Sequence, residues 1–262
     1  MNDFAPSPAF PAQRSVILTG AASPRGIGRF TAHYLAERGW NVGILDLDAE
    51  ASQKLAAEIA EKHGVAAAGA GANVADESRV RAAFDALEAE LPQLVAVVNL
   101  AGVSSPVPYL EVSAEEWHRV IDINLHGVHH TTKRAVETMV RHGVGRVVNL
   151  SSVSAQRGGG TFSKTAYSAA KAGVLGLTRS LARELGHQGI TVNAVSPGPI
   201  DTDIMGGTLT DERKEKMAAD GVLPRIGTPR DIAAAIHYLI GEDAGFVTGQ
   251  TLNVDGGLYM HG

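Results

Sequence analysis

The sequence predicts one α/β domain, a parallel sheet covered by helices on both faces. Two observations carry this. Short apolar or β-branched runs alternate strictly with segments of helical periodicity, the pattern that parallel strands need for their crossovers. The 262 residues suffice for one core and show no repeat, low-complexity tract or linker that would divide them.

The elements follow in order. "RSVILTG" is a β-rich run ending at Gly20, and "GRFTAHYLAERG" is a helix closed by Gly39. "WNVGILDLD" is a second strand ending in acid, followed by the amphipathic helix "AEASQKLAAEIAEKHG". "VAAAGAGANV" is poor in strand formers, and only topology makes it the third strand. "DESRVRAAFDALEAEL" is a helix and "LVAVVNLAG" a buried-type strand. A long helix starts at Ser113, with Glu116 three residues on as a capping box. "GRVVNLSS" is the fifth strand, and a helix running to about Leu185 follows it. "ITVNAVSPG" is the sixth strand, Thr228 and Pro229 open another helix, and "GQTLNVDGG" is the last strand. Residues 1–13, with three prolines, are expected to form a loose tail, and 14–262 the domain. Thr202 to Gly227 is a polar, glycine-rich excursion after a strand's carboxyl end, where a substrate lid would sit.

Composition narrows the function. Hydrophobic residues make up 44% and charged residues 19%, as in ordinary soluble proteins. A net charge of −5 argues against a nucleic-acid surface. The absence of cysteine excludes disulfides, thiolate metal sites and a catalytic thiol. No apolar run approaches membrane-spanning length, and the N-terminus lacks the features of a secretory signal, so the cytoplasm is the expected compartment. "HGVHH" places His126 and His130 one turn apart, but no third ligand follows at fitting spacing, so no metal is expected.

Two patterns point to chemistry. "TGAASPRGIGR" joins the first strand to the first helix, the context in which glycines cradle a dinucleotide pyrophosphate. Gly20 permits the tight turn, and Gly26 and Gly28 permit close approach of backbone to phosphate and of helix to sheet. Asp46 ends the second strand, 18 residues after Gly28, where an acid binds adenosine ribose hydroxyls and repels a ribose phosphate. Arg25 opposes it, since an arginine there can hold that phosphate; the direct position of Asp46 decides for NAD over NADP. The second pattern is "YSAAK". Tyr167 and Lys171 lie four apart, one above the other on a helix, with small residues between them. An ammonium at 4 Å in a medium of effective dielectric near 20 is worth about 4 kcal/mol, which would lower a tyrosine pKa by roughly three units.

Together "TG…GIG", "NLAG", "IDINLHG", "NLSS", "YSAAK" and "SPGPIDT" resemble, in order and over about Arg14 to Gly257, the short-chain dehydrogenases/reductases. "RSLARELGHQGITVNAVSPG" and "VTGQTLNVDGG" resemble the 3-oxoacyl-acyl carrier protein reductase and polyol dehydrogenase branch. The resemblance implies a single-domain Rossmann-type doubly wound fold, with a seven-stranded parallel sheet of order 3-2-1-4-5-6-7. It also implies a nicotinamide cofactor, a small alcohol or ketone substrate and a homotetramer. By resemblance the catalytic set is Asn124, Ser152, Tyr167 and Lys171. The cofactor contacts it implies are Gly20, Ser23, Arg25, Gly26 and Ile27 of the turn; Asp46, Leu47, Asn73 and Val74 on the adenosine side; Asn99, Ala101 and Gly102; Tyr167 and Lys171; and Pro197, Ile200 and Thr202.

The sequence departs from the family pattern in four places. The glycine turn has five residues between Gly20 and Gly26 where three are usual, Leu100 replaces an asparagine, and Asn73 replaces an aspartate. Ser152 precedes Tyr167 by 15 residues, about two more than usual, whereas Ser154 has the common spacing. Ser152 is preferred because it directly ends the strand, with Ser154 as the alternative. The expected activity is hydride transfer between NAD(H) and a polyol, sugar or similar small secondary alcohol, Tyr167 moving the hydroxyl proton. The competing expectations are an NADPH-dependent 3-oxoacyl thioester reductase and a dinucleotide-binding sensor without turnover.

Overall fold

A computed structural model describes residues 10–160, 163–202 and 209–260. Seven strands form one parallel sheet in the order 3-2-1-4-5-6-7: β1 Ser15–Thr19, β2 Asn41–Asp46, β3 Ala67–Gly71, β4 Leu94–Asn99, β5 Gly145–Leu150, β6 Ile190–Pro197 and β7 Thr251–Val254. The order reverses between β1 and β4, which neighbour each other though β2 and β3 intervene in sequence. At that reversal the loops leaving the two strands part, and a crevice opens at the strands' carboxyl ends.

The helices are α1 Ile27–Ala36, α2 Ala49–His63, α3 Glu77–Glu90, α4 Ala114–Ile121, α5 Gly127–His142, α6 Ser154–Arg157, α7 Thr165–Leu185, α8 Asp211–Ala218 and α9 Pro229–Ile240. Two apolar clusters, one on each side of the sheet, hold them. Val16, Leu18, Val42 and Ile44 meet Leu35, Ile59 and Ile236 on one side. Ile17, Leu45 and Val97 meet Phe84, Leu87 and Met139 on the other. Alternate residues of β1 thus enter opposite layers, as the pleat requires.

The weak third strand forms as expected, for a reason that propensity does not express. A Cβ on Gly69 would lie 2.4 Å from the backbone of Ser52, and one on Gly71 2.5 Å from the Ala49 side chain. Glycine lets α2 lie directly on β3, and packing outweighs propensity there. The cap expected at Ser113 also forms, its hydroxyl accepting from Glu116 N at 3.1 Å. The Glu116 carboxylate turns instead to Arg119 at 2.8 Å, so the reciprocal half of the box is not made. Thr228 carries a full box, closed by Asp231.

Two expectations are corrected. The long helix after Ser113 is not regular: Asp122–His126 forms one π-helical turn between α4 and α5. The part of the expected tail among the described residues is docked. Phe10 packs edge-on against Trp40 at 6.2 Å, and the Arg14 and Arg146 guanidinium groups stack on this pair. The domain therefore starts by Phe10. The expected lid, 202–227, contains α8; its residues 203–208 lie outside the described residues. No helix among the described residues is long and apolar enough to cross a membrane.

Candidate active site

Two clefts open at the carboxyl edge of the sheet and share Ile27, Leu150 and Thr202 as a common wall. The first, about 420 Å³, runs along the crevice between β1 and β4. Gly20, Ser23, Gly26 and Ile27 line it from the turn, Asp46, Leu47, Asn73 and Val74 from β2 and β3, and Ala101 and Gly102 from the end of β4. Its glycines are required by space. Gly20 has φ +67°, and a Cβ there would sit 2.5 Å from Ala101 Cα; one on Gly28 would sit 2.6 Å from Ala21 Cα. Thr19 Oγ1 accepts from both Leu100 N and Ala101 N at 3.1 Å, tying the two loops together beneath the crevice.

Asp46 is held at the rim by its neighbours. Ala22 N donates to its Oδ2 at 2.8 Å and Leu47 N to its Oδ1 at 2.7 Å. Its carboxylate thereby fixes the glycine turn and faces the cleft end where an adenosine ribose would bind. A nicotinamide dinucleotide fits this site: a backbone-lined cradle that side chains would fill, an acid at the ribose end, and a wall shared with the second cleft. Asn73 also lines the cleft, its Oδ1 accepting from Ala75 N at 3.0 Å.

The second cleft, about 310 Å³, contains Ser152, Tyr167, Pro197 and Ile200. Ser151 and Ser152 extend β5, while Tyr167 and Lys171 lie one turn apart on α7. Ser152 hydrogen-bonds the Tyr167 hydroxyl. Ser154 N donates to Ser152 Oγ at 3.1 Å, which leaves the Ser152 proton free to point at the phenol or a substrate. Ser154 Oγ is paired with Ser163 Oγ at 2.8 Å instead. Ser152, not Ser154, is thus the serine bonded to the phenol.

Lys171 is 2% exposed, with Nζ 5.7 Å from the Tyr167 ring centroid, and it donates to Leu150 O at 2.7 Å. Ser151 Oγ donates to Lys171 O at 2.9 Å, so strand end and helix fix each other. Asn124 is fully buried in the π-helical turn. Its Nδ2 donates to Val120 O and Val103 O at 2.9 and 3.0 Å, and its Oδ1 accepts from Val103 N. A Cβ on Gly102 would lie 2.7 Å from Asn124 Oδ1 and 3.5 Å from Lys171 Nζ. The bare glycine thus leaves room for these two side chains beside the end of β4.

The electrostatics correct one expectation. Burial pushes the Tyr167 phenol up to about 12, with the Ser152 hydrogen bond pulling the other way. Burial lowers Lys171 to about 8. The expected lowering of the phenol by the ammonium is absent: loss of water around the buried phenol dominates. Tyr167 is accordingly a neutral acid at physiological pH.

Other site residues are repositioned too. Asn99 is 1% exposed and committed to Thr132, Thr131 and Asn149, so it braces β4, β5 and α5 behind the cleft rather than lining it. Arg25 does not line the first cleft; it turns to Asp201 Oδ1 at 3.1 Å, and Lys214 holds the other oxygen at 2.7 Å. Pro197 and Ile200 line the second cleft, and only Thr202 of that segment reaches both. The sequence reading missed Ile123 and Val103 in the first cleft and Ser104, Arg157, Met217, Asp220 and Leu258 in the second. Ile123 and Val103 adjoin the motif residues Asn124 and Gly102 and could have been found from them, whereas Met217, Asp220 and Leu258 come from remote parts of the chain that carry no local signature. His126 bonds Asp122, His130 bonds Val74 O, and among the described residues no cluster of three acidic or His side chains is placed to hold a metal.

Comparison with known proteins agrees with this geometry. A family model described as enoyl-(acyl carrier protein) reductase matches residues 20–259. The chain is 38% identical to an uncharacterized short-chain type dehydrogenase/reductase of Sinorhizobium fredii, over 95% of this chain and 98% of the relative. It is 40% identical to a 3-oxoacyl-[acyl-carrier-protein] reductase of Staphylococcus aureus, over 94% and 98%. Among solved structures, a 3-oxoacyl-[acyl-carrier protein] reductase from Brucella melitensis superposes with a TM-score of 0.86 at 35% identity, covering 95% of this chain and 92% of the other.

Proposed function

Since the chain belongs to the short-chain dehydrogenase/reductase family, whose members are oxidoreductases acting on CH–OH or carbonyl groups, we propose that it reduces a small 3-oxoacyl-type ketone with NADH, or oxidises the corresponding alcohol with NAD⁺. One observation carries the reaction type: the Ser152–Tyr167 pair stands in the second cleft, beside the wall shared with the dinucleotide-shaped first cleft. The resident cofactor supplies or accepts the hydride.

The chain's own residues do the rest. The Ser152 hydroxyl, oriented by Ser154 N, donates to the substrate oxygen and stabilises charge developing there. The Tyr167 phenol gives its proton to that oxygen during reduction and takes it back during oxidation. Lys171, bound to Leu150 O, adds positive charge beneath the phenol and holds the cofactor's nicotinamide-side ribose. Asn124 holds the loop at Val103 against the π-helical turn, and with Gly102 shapes the corner through which Lys171 exchanges its proton.

The relatives named as 3-oxoacyl-[acyl-carrier-protein] reductases support an oxo-acyl substrate over the polyol expected from the sequence. A polyol or sugar remains the second reading, favoured by the serine hydroxyls 104, 152, 154 and 163 in the substrate cleft. The cofactor preference rests on Asp46 at the cleft rim and on Arg25 being engaged by Asp201. At about 4 Å and effective dielectric 20, a carboxylate facing a phosphate charge costs about 4 kcal/mol. NADH is expected to outperform NADPH in kcat/KM by at least about tenfold, and Asp46→Ser to erase most of that ratio. Initial rates with both cofactors decide it, and an NADPH preference in the unaltered enzyme overturns the assignment. A homotetramer and a cytoplasmic location are proposed on the family resemblance alone.

A further inference from the structure

The second cleft contains charges that the proton-transfer chemistry does not use. Arg157, the last residue of α6, lines it together with Ser152 and Tyr167. Among the described residues its guanidinium makes no ion pair or side-chain hydrogen bond. Asp220, just beyond α8, lines the same cleft, and it too has no ion-pair partner among the described residues. The two do not pair with each other, and both side chains are exposed.

The base of Arg157 is fixed. Gln156 and Asn253 exchange reciprocal amide hydrogen bonds at 3.1 and 3.0 Å, anchoring the residue before it to β7. Gly158 N donates to Ser154 O at 3.0 Å and Gly160 N to Ser163 O at 2.7 Å, closing the loop after it. Gly158 and Gly159, at φ +92° and +99°, allow the chain to turn away immediately after Arg157. This is the same loop that is about two residues longer than the family spacing. The Arg157 side chain is exposed, lines the cleft and has no carboxylate partner among the described residues, so its guanidinium is available for a two-pronged hydrogen bond to an oxyanion.

We infer that Arg157 is a specificity-determining residue and that the substrate carries an oxyanion, a carboxylate or a phosphate, on the arm extending from the reacting carbon. The inference rests on the proposed function in taking this cleft as the substrate site. It names the acyl partner as a hydroxy or oxo acid, or a phosphorylated equivalent, in place of a neutral acyl compound. Asp220, which lines the same cleft, discriminates against a second anionic group.

The test uses matched pairs with the intact enzyme: 3-hydroxybutyrate against 3-hydroxybutyramide, gluconate against glucitol, and glucose 6-phosphate against glucose. For each, turnover is followed with NAD⁺, and binding to the enzyme is measured by calorimetry with NADH present. The anionic member of at least one pair should bind about 10- to 100-fold more tightly than its neutral partner. Which pair responds separates carboxylate from phosphate. Arg157→Gln should bring that ratio towards one, through KM more than kcat; Arg157→Lys should restore part of it; Asp220→Asn should increase it. Equal binding of every pair, or a ratio indifferent to Arg157→Gln, overturns the inference even if turnover is robust. If no compound is turned over while an acid still binds in an Arg157-dependent way, the proposed function fails and the anion site stands.

Discussion

Tyr167→Phe lowers turnover in both directions by about 10³-fold, within the range that removal of a positioned acid–base group produces. NADH binding is retained, because the glycine cradle and Asp46 that line the first cleft are untouched. Among the described residues the phenol's side-chain hydrogen-bond partner is Ser152, so the stability cost is that of one hydrogen bond, about 1 kcal/mol. Pre-steady-state and steady-state rates, with NADH affinity from fluorescence titration, separate these effects. Retention of more than a tenth of the rate would remove Tyr167 from the chemistry.

The same residue sets the pH profile. With the phenol pushed up to about 12 by burial, it stays protonated across the neutral range. Ketone reduction uses this form and should be flat with pH until the alkaline limb. Alcohol oxidation needs the deprotonated form, and kcat should climb steadily from neutral towards alkaline pH. A burial-raised pKa thus favours reduction near neutrality, in keeping with the reductase names of the relatives. Tyr167→Phe should flatten the oxidation profile.

How much of this was legible in the sequence depends on what each residue's role rests on. The alternation of strands and helices and the Tyr167–Lys171 juxtaposition follow from local pattern and helical spacing, while the strand order comes from the family resemblance; all three appear in the fold. The choice between Ser152 and Ser154 needed three dimensions, because an insertion breaks the spacing argument while hydrogen bonds to Tyr167 and Ser163 separate the two serines. The direction of the Tyr167 shift was misread because sequence spacing reports the nearness of the ammonium but not the loss of water around both groups. Asn99 was placed in the cofactor site by motif, yet its amide is consumed in bracing the sheet. Arg157 and Asp220 line one cleft from segments 63 residues apart, a relation no local pattern encodes.

Lys171→Met tests whether the buried ammonium is held for function at a cost in stability. Lys171 is 2% exposed, and burial lowers it from 10.5 to about 8. Its folded value lies below its unfolded value, so between about pH 8 and 10.5 the unfolded chain binds more protons than the native one, and stability rises with pH in that window. Tyr167 acts oppositely and later: native protein holds the phenol proton between 10 and about 12, so stability falls there. From pH 8 to 10 the lysine contribution is therefore seen alone. The full effect is about 3 kcal/mol, and most of it, an increase in Tm of several degrees for a chain of this size, should accrue before pH 10. Other groups titrate in the same range in both proteins, so the difference between the wild-type and Lys171→Met curves isolates this one. The variant should keep its fold, lose turnover by about 10²-fold, and show no Lys171-type rise. Parallel Tm curves for the two proteins from pH 8 to 10 would mean that the ammonium is hydrated in solution. The corner beside Gly102 would then be open to water, and the neutral-acid assignment of Tyr167 would fall with it.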